Sequence, residues 1–149
     1  MATFAENRKA HFNYEILEKF QAGLVLQGQE VKSIRNGRIN LAGSYVVPQA
    51  EEFFLVGAHI PAYQPANAPK DYNPERSRKL LLKKEEIQEL IGKVRQRGLT
   101  LVPLRVYDQN RRIKLEFGLA RGKKKGDKRQ DIKRKDAQRE IERALKTWG

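Results

Sequence analysis

From Tyr14 to Leu26 the chain alternates in polarity. Tyr14, Ile16, Phe20, Ala22, Leu24 and Leu26 share one phase, broken by Glu18, while Glu15, Lys19, Gln21 and Gln27 share the other. A period of two is the signature of a half-buried strand, and so long a one commits the chain to a sheet. Gly23 predicts a bend within it and Gly28 its end. Glu30 to Arg35 then reads as two helical turns stopped by Asn36-Gly37, a pair suited to a left-handed cap.

Further strands follow. Ser44–Val47 and Phe53–Val56 flank Pro48–Glu52 as a hairpin. Residues 61–74 hold four prolines and predict an irregular loop, and Arg78–Lys83 a short strand. Ile87, Leu90, Ile91 and Val94 are spaced for one face of a helix that Gly98 terminates. Leu99–Tyr107 and Ile113–Leu119 form a second hairpin around Asp108–Arg111. The expected fold is mainly β with peripheral helices: an OB-like, six-stranded closed β-barrel over residues 1–120, followed by a basic tail over 121–149.

Charge divides the chain in the same place. Of 31 Lys and Arg and 18 Asp and Glu, twelve bases and five acids fall in 121–149, so that segment carries +7 and the other 120 residues +6 of the formal +13. Such an excess points to a polyanion. Within the tail, Ala137, Ile141, Ala144, Leu145 and Trp148 draw one narrow apolar stripe on an otherwise charged surface. A stripe that thin buries too little area to hold a lone helix, so the tail is expected to be disordered when free and helical on an anionic partner, with Asp127 or Asp131 capping its start. The stripe is also too thin for a membrane-surface helix.

The sequence has no cysteine and two histidines, His11 and His59. Thiol nucleophiles and Cys-ligated metals are thereby excluded, and no phosphate loop, nucleophile elbow or metal-ligand spacing occurs. No enzyme activity and no cofactor are expected. Absence of an apolar run of membrane length and of an apolar leader suggests a cytoplasmic protein. Glu30 is expected to pair with Lys32 or Arg35. The basic residues Arg8, Lys9, Lys32, Arg35, Arg38, Arg76, Arg78, Lys79 and Lys114, interleaved with Phe12, Tyr14, Tyr45 and Tyr72, suit RNA recognition by phosphate contact and stacking. A ribosomal or assembly protein held on ribosomal RNA would show the same pattern.

Particular strings narrow the choice. Asn7-Arg8-Lys9-Ala10, Gln21-Ala22-Gly23-Leu24, Leu26–Ser33, Arg78–Leu82, Gly98–Leu104, Gly118–Lys124 and Asp127-Lys128-Arg129 resemble, in order along nearly the whole chain, the small protein B family of bacterial tmRNA-binding (SsrA-binding) proteins. The resemblance implies an OB-like barrel that holds the tRNA-like domain of tmRNA in trans-translation. It also implies a tail that enters the decoding centre and empty mRNA channel of a stalled ribosome, so that the nascent peptide is tagged. Elongation factor Tu and alanyl-tRNA synthetase would be partners through tmRNA, and the protein a monomer. By position, Gln21, Lys32, Arg35, Leu81 and Lys114 would contact tmRNA. Gly122, Lys123, Lys124, Asp127, Lys128 and Arg129, with Ile141 and Trp148, would act on the ribosome. The family often has Glu where this chain has Gln21, and an aromatic or His where it has Gly126.

Overall fold

The computed structural model describes residues 2–123. In it the alternating segment is β2 (Tyr14–Leu24), preceded by β1 (Thr3–Glu6) and α1 (Arg8–Asn13) and followed by α2 (Gly28–Arg35). Then come β3 (Tyr45–Gln49), β4 (Glu52–Val56), a 3-10 turn at Pro65–Asn67, β5 (Arg78–Leu81), α3 (Lys84–Val94), β6 (Leu99–Gln109) and β7 (Arg112–Gly122). All strand pairings are antiparallel, in the order β1-β6-β3-β4-β5-β2-β7, and β6 pairs with β7 as well.

Among the described residues seven strands stand where six are expected. The additional one, β1, has four residues, too few for a period to show, and it lies along β6 beyond the single register pair Val46–Leu101 that joins β3 to the same edge. Helix α1 was also unforeseen: of its six residues only Ala10 is buried, which leaves no apolar stripe to read. Strand β7 runs to Gly122, three residues past the expected Leu119.

Both expected hairpins form, but each is closed by a two-residue turn, so the strands run on into the expected connections at Pro48–Glu52 and Asp108–Arg111. Ala50 and Glu51 have φ of 48° and 62°, and Asn110 and Arg111 have 51° and 65°. Two consecutive positive φ values give the twist that matches strand to strand. Helix α2 starts at Gln27, whose N–H donates to Glu30 Oε1 at 2.8 Å, and it ends at Gly37 (φ 75°), whose N–H donates to Ile34 O at 2.8 Å. Helix α3 buries Ile87 and Leu90 with Ile91 and Val94 beside them, the face its spacing predicts.

One phase of β2 does not stay on one face. The β2–β7 register slips between Ile16 and Glu18, leaving Leu17 as a bulge. Beyond it, Phe20, Ala22 and Leu24 join the main core with Phe53, Leu55, Leu80, Leu101, Leu115 and Phe117. Before it, Tyr14 and Ile16 lie on the opposite face in a small second core with Ala10, Val102, Leu104 and Ala120. Helix α1 covers that second core, which explains why a strand that appears continuous serves two layers.

Gly118 makes the second core possible. A Cβ there would lie 2.8 Å from Ile16 Cγ2 and 3.3 Å from both Glu18 O and Leu104 Cδ1. Gly118→Ala is therefore expected to cost about 1–3 kcal/mol by overpacking, seen as a lower denaturant midpoint at unchanged m-value. An unshifted midpoint would show that Ile16 and Leu104 yield freely.

Candidate RNA interface

The strand register assembles an outward surface from residues far apart in sequence. Leu81 on β5 lies opposite Gly23 on β2 and Gly23 opposite Lys114 on β7, while the next residue in the row, Tyr107 on β6, is buried and ends the surface there. The adjacent row is Gln21, Glu116 and Arg105. Because Ala22, Leu24, Leu115 and Phe117 face the main core, alternation turns Gln21, Gly23, Lys114 and Glu116 away from it. Leu81 is 56% exposed and comes so near Gly23 that a Cβ there would sit 3.3 Å from its Cδ1. Glycine thus lets an apolar side chain lie flat over the strand.

Around Leu81 a hollow opens with Leu26 and Val31 in its wall and Arg35, Arg111, Arg112 and Lys114 on its rim. Arg35 is held in place. Its Nη2 donates to Arg111 O at 2.8 Å, its Nη1 lies 3.4 Å from Asp108 Oδ1, and its guanidinium sits 6.0 Å from the Phe4 ring centre. The side chains of Arg112 and Lys114 have no carboxylate partner among the described residues. Unpaired cations rimming an exposed apolar side chain can neutralise phosphates while a base packs on the apolar centre.

Of the five expected body contacts, Gln21, Leu81 and Lys114 are thus neighbours, and Arg35 borders them. Lys32 is not with them. Its Nζ lies 5.8 Å from the Tyr63 ring centre, beside a different hollow lined by Gln29, Tyr72 and Arg76. Sequence reasoning did not single out Arg111, Arg112, Arg105 or Glu116. Arg112 and Glu116 share the phase of Lys114 in β7, a signal that was available.

Two of the basic residues expected to meet RNA are tied to a buried carboxylate instead, Arg78 wholly in the interior and Arg76 at its edge. Arg78 is fully buried: its Nε donates to Glu30 Oε2 at 2.6 Å, its Nη1 to Ala58 O and its Nη2 to Pro74 O, both at 2.8 Å. Arg76 Nη2 donates to Glu30 Oε1. Glu30 therefore pairs with Arg76 and Arg78 and not with Lys32 or Arg35, because its position one turn before Ile34 turns it inward with that residue. Burial alone would raise the Glu30 carboxyl, but hydrogen bonds from Arg76, the Gln27 N–H and Arg78 outweigh it and hold the carboxyl below its ordinary range. Lys79 remains partly exposed, 3.6 Å from Glu52, whereas the Tyr72 hydroxyl is engaged, donating to Ile60 O at 2.6 Å.

At the other end of β7, Gly122 lies opposite Tyr14, and the Lys123 N–H donates to Asn13 O at 2.9 Å. The hydroxyls of Tyr14 and Tyr45 meet at 3.1 Å beside this point, and that hydrogen bond, with burial, pushes Tyr14 up to about 12. Of the expected ribosome-directed residues, Gly122 and Lys123 are therefore placed at the end of the sheet. Lys124, Asp127, Lys128, Arg129, Ile141 and Trp148 lie outside the described residues, as does Gly126.

Among the described residues no cluster of His, Asp and Glu could hold a metal ion, and no helix is long and apolar enough to cross a membrane.

Known proteins resemble the chain along nearly its whole length. The SsrA-binding protein of Chloroflexus aggregans is 53% identical over 98% of this chain and 92% of its own, and that of Thermosynechococcus vestitus 52% over 95% and 93%. A solved structure described as "tmRNA-SmpB: a journey to the center of the bacterial ribosome" superimposes with a TM-score of 0.67 at 46% identity, covering 81% of this chain and 85% of the other. The SmpB protein family model matches residues 4–147, and the chain belongs to that family.

Proposed function

We propose that this protein binds the tRNA-like domain of tmRNA (SsrA RNA) in trans-translation, through the outward face of β5, β2 and β7. It carries alanyl-tmRNA to stalled ribosomes. The observation that carries this reading is the row Leu81–Gly23–Lys114 with Gln21 beside it, in a chain about half identical to proteins named for binding SsrA. Leu81 offers an apolar platform, Lys114, Arg35, Arg111 and Arg112 neutralise backbone phosphates, and Gln21 offers an amide to base edges. Lys32 touches the same RNA from the far side of α2. The sheet supports an OB-like barrel, since β6, β3, β4, β5, β2 and β7 each pair with the next and β7 pairs again with β6.

The tail that leaves the end of β7 acts on the ribosome. Gly122, Lys123, Lys124, Asp127, Lys128 and Arg129 enter the decoding centre, and the Ile141–Trp148 stripe lies in the empty mRNA channel as a helix. Elongation factor Tu and alanyl-tRNA synthetase meet the protein through the RNA. Its setting is the cytoplasm, its role is recognition, and the bond-making steps are those of its partners.

Lys114→Ala tests the face. Without one phosphate contact, the affinity for tmRNA should fall and the slope of log K against log salt should decrease by roughly one unit. An unchanged slope in a salt titration would mean that Lys114 touches no phosphate. The RNA that copurifies with the protein from its own cells checks the partner: recovery of ribosomal RNA alone would overturn it.

A further inference from the structure

We infer that Glu116, with Gln21 beside it, reads the Watson–Crick edge of an unpaired guanine in the bound RNA. The inference deepens the RNA-binding reading and rests on it. Glu116 is an acid whose charged neighbours on this face, Lys114 two residues along β7 and Arg105 opposite it on β6, are cationic. A carboxylate there repels phosphates, so simple backbone binding gives it no role.

Its surroundings leave its acceptor capacity unspent. Its one charged partner is Arg105, whose Nε lies 3.4 Å from Glu116 Oε2, and no hydrogen bond to the carboxylate forms among the described residues. Arg105 is itself fixed, with its guanidinium 4.3 Å from the Tyr107 ring centre and Nη1 donating to Thr3 Oγ1 at 3.4 Å. The guanidinium offsets the charge of Glu116 and steadies it, while lone pairs remain for donors from outside. The Glu116 side chain is 16% exposed, and its cross-strand neighbour Gln21 is exposed.

Among the bases, guanine fits this pair. Its Watson–Crick edge presents two adjacent donors, N1–H and the N2 amino group, that match the two oxygens of one carboxylate. Beside them stands the O6 acceptor. Cytosine and adenine present one donor group next to a ring nitrogen that would face a carboxylate oxygen, lone pair to lone pair. Directly opposed residues on paired strands have Cβ atoms roughly 5 Å apart, which lets the Gln21 amide N–H₂ reach O6 while Glu116 holds N1 and N2. A glutamate at position 21 would instead set two carboxylates against each other across the strands.

The test uses the full chain and three labelled single-stranded pentaribonucleotides, UUGUU, UUIUU and UUAUU, titrated at low salt. Inosine keeps O6 and N1–H and lacks only the 2-amino group, so it removes one of the donors that Glu116 accepts. The wild type should prefer guanosine over inosine by about tenfold, and Glu116→Gln should bind the two within about twofold of each other. Gln21→Ala should weaken guanosine and inosine together and leave their ratio intact. Equal wild-type affinity for guanosine and inosine overturns the inference without any variant, and so does a preference that survives in E116Q. Binding of SsrA RNA with no binding of any pentamer also overturns it. Failure to bind any RNA would overturn the RNA-binding reading as well, so the two failures are distinguishable.

Discussion

A chain ending at Lys123 will bind tmRNA nearly as tightly as the full protein and will support no peptide tagging. Residue 123 is the correct point to cut. Strand β7 pairs through Gly122 with Tyr14, and the Lys123 N–H closes on Asn13 O, so a cut at Ala120 would also remove register pairs of the sheet. The segment removed, 124–149, carries ten Lys and Arg and five Asp and Glu. If those charges bound tmRNA, the salt slope would drop by several units and affinity would collapse. If they act on the ribosome, the Kd for tmRNA at physiological salt stays within about threefold, under 1 kcal/mol. Tagging in a reconstituted system with ribosomes stalled on truncated messages should meanwhile fall by about a hundredfold or more, since each delivered tmRNA would lack what occupies the channel. Loss of RNA binding and tagging in the same proportion would refute a division of labour between sheet and tail.

What the sequence makes legible is what local periodicity can carry. The existence of β2, both hairpins, the apolar face of α3 and the Asn36-Gly37 stop are readable, because each is written within a dozen residues, whereas β2 ends at Leu24 and Gly28, expected to end it, opens α2. The bulge at Leu17 was not, since inserting one residue into a strand leaves the apparent alternation intact on either side. Its trace is Glu18, a charge in the apolar phase, which at the sheet's rim meets Lys93 Nζ at 2.6 Å. The candidate site was legible residue by residue through the family strings, but not as a surface. Leu81 and Lys114 become neighbours only through Gly23, and that adjacency belongs to strand register, which no local pattern contains. Arg78 was misread for a different reason. Its charge groups it with Lys79, although alternation places it with Leu80, and Arg78 and Leu80 are both fully buried. A charge in the phase of a buried leucine signals an internal partner, and Glu30, one turn before Ile34, was its match.

That partnership sets the second large effect. Glu30→Gln keeps the shape of the side chain and removes the charge that Arg78 faces at 0% exposure. The guanidinium keeps Ala58 O and Pro74 O but has no anion, and Arg76 loses the same partner. Breaking a buried pair on one side costs about 3–5 kcal/mol, which for a domain of this size lowers Tm by on the order of 10–20 °C. Glu75→Gln is the control, because that carboxylate is 69% exposed at 3.7 Å from His59 and should change Tm by about a degree or less. The pH dependence separates lost charge from lost packing. Glu30's carboxyl is held below its unfolded value, so the stability it contributes is complete above the unfolded pKa and is lost as pH falls through the folded one. Wild type and E30Q should therefore differ most near neutrality and converge in acid, where Glu30 takes up the proton that makes it resemble glutamine. A Tm difference that stays constant from neutral pH into strong acid would place the damage in packing and refute the ion pair as the clasp between α2 and β5.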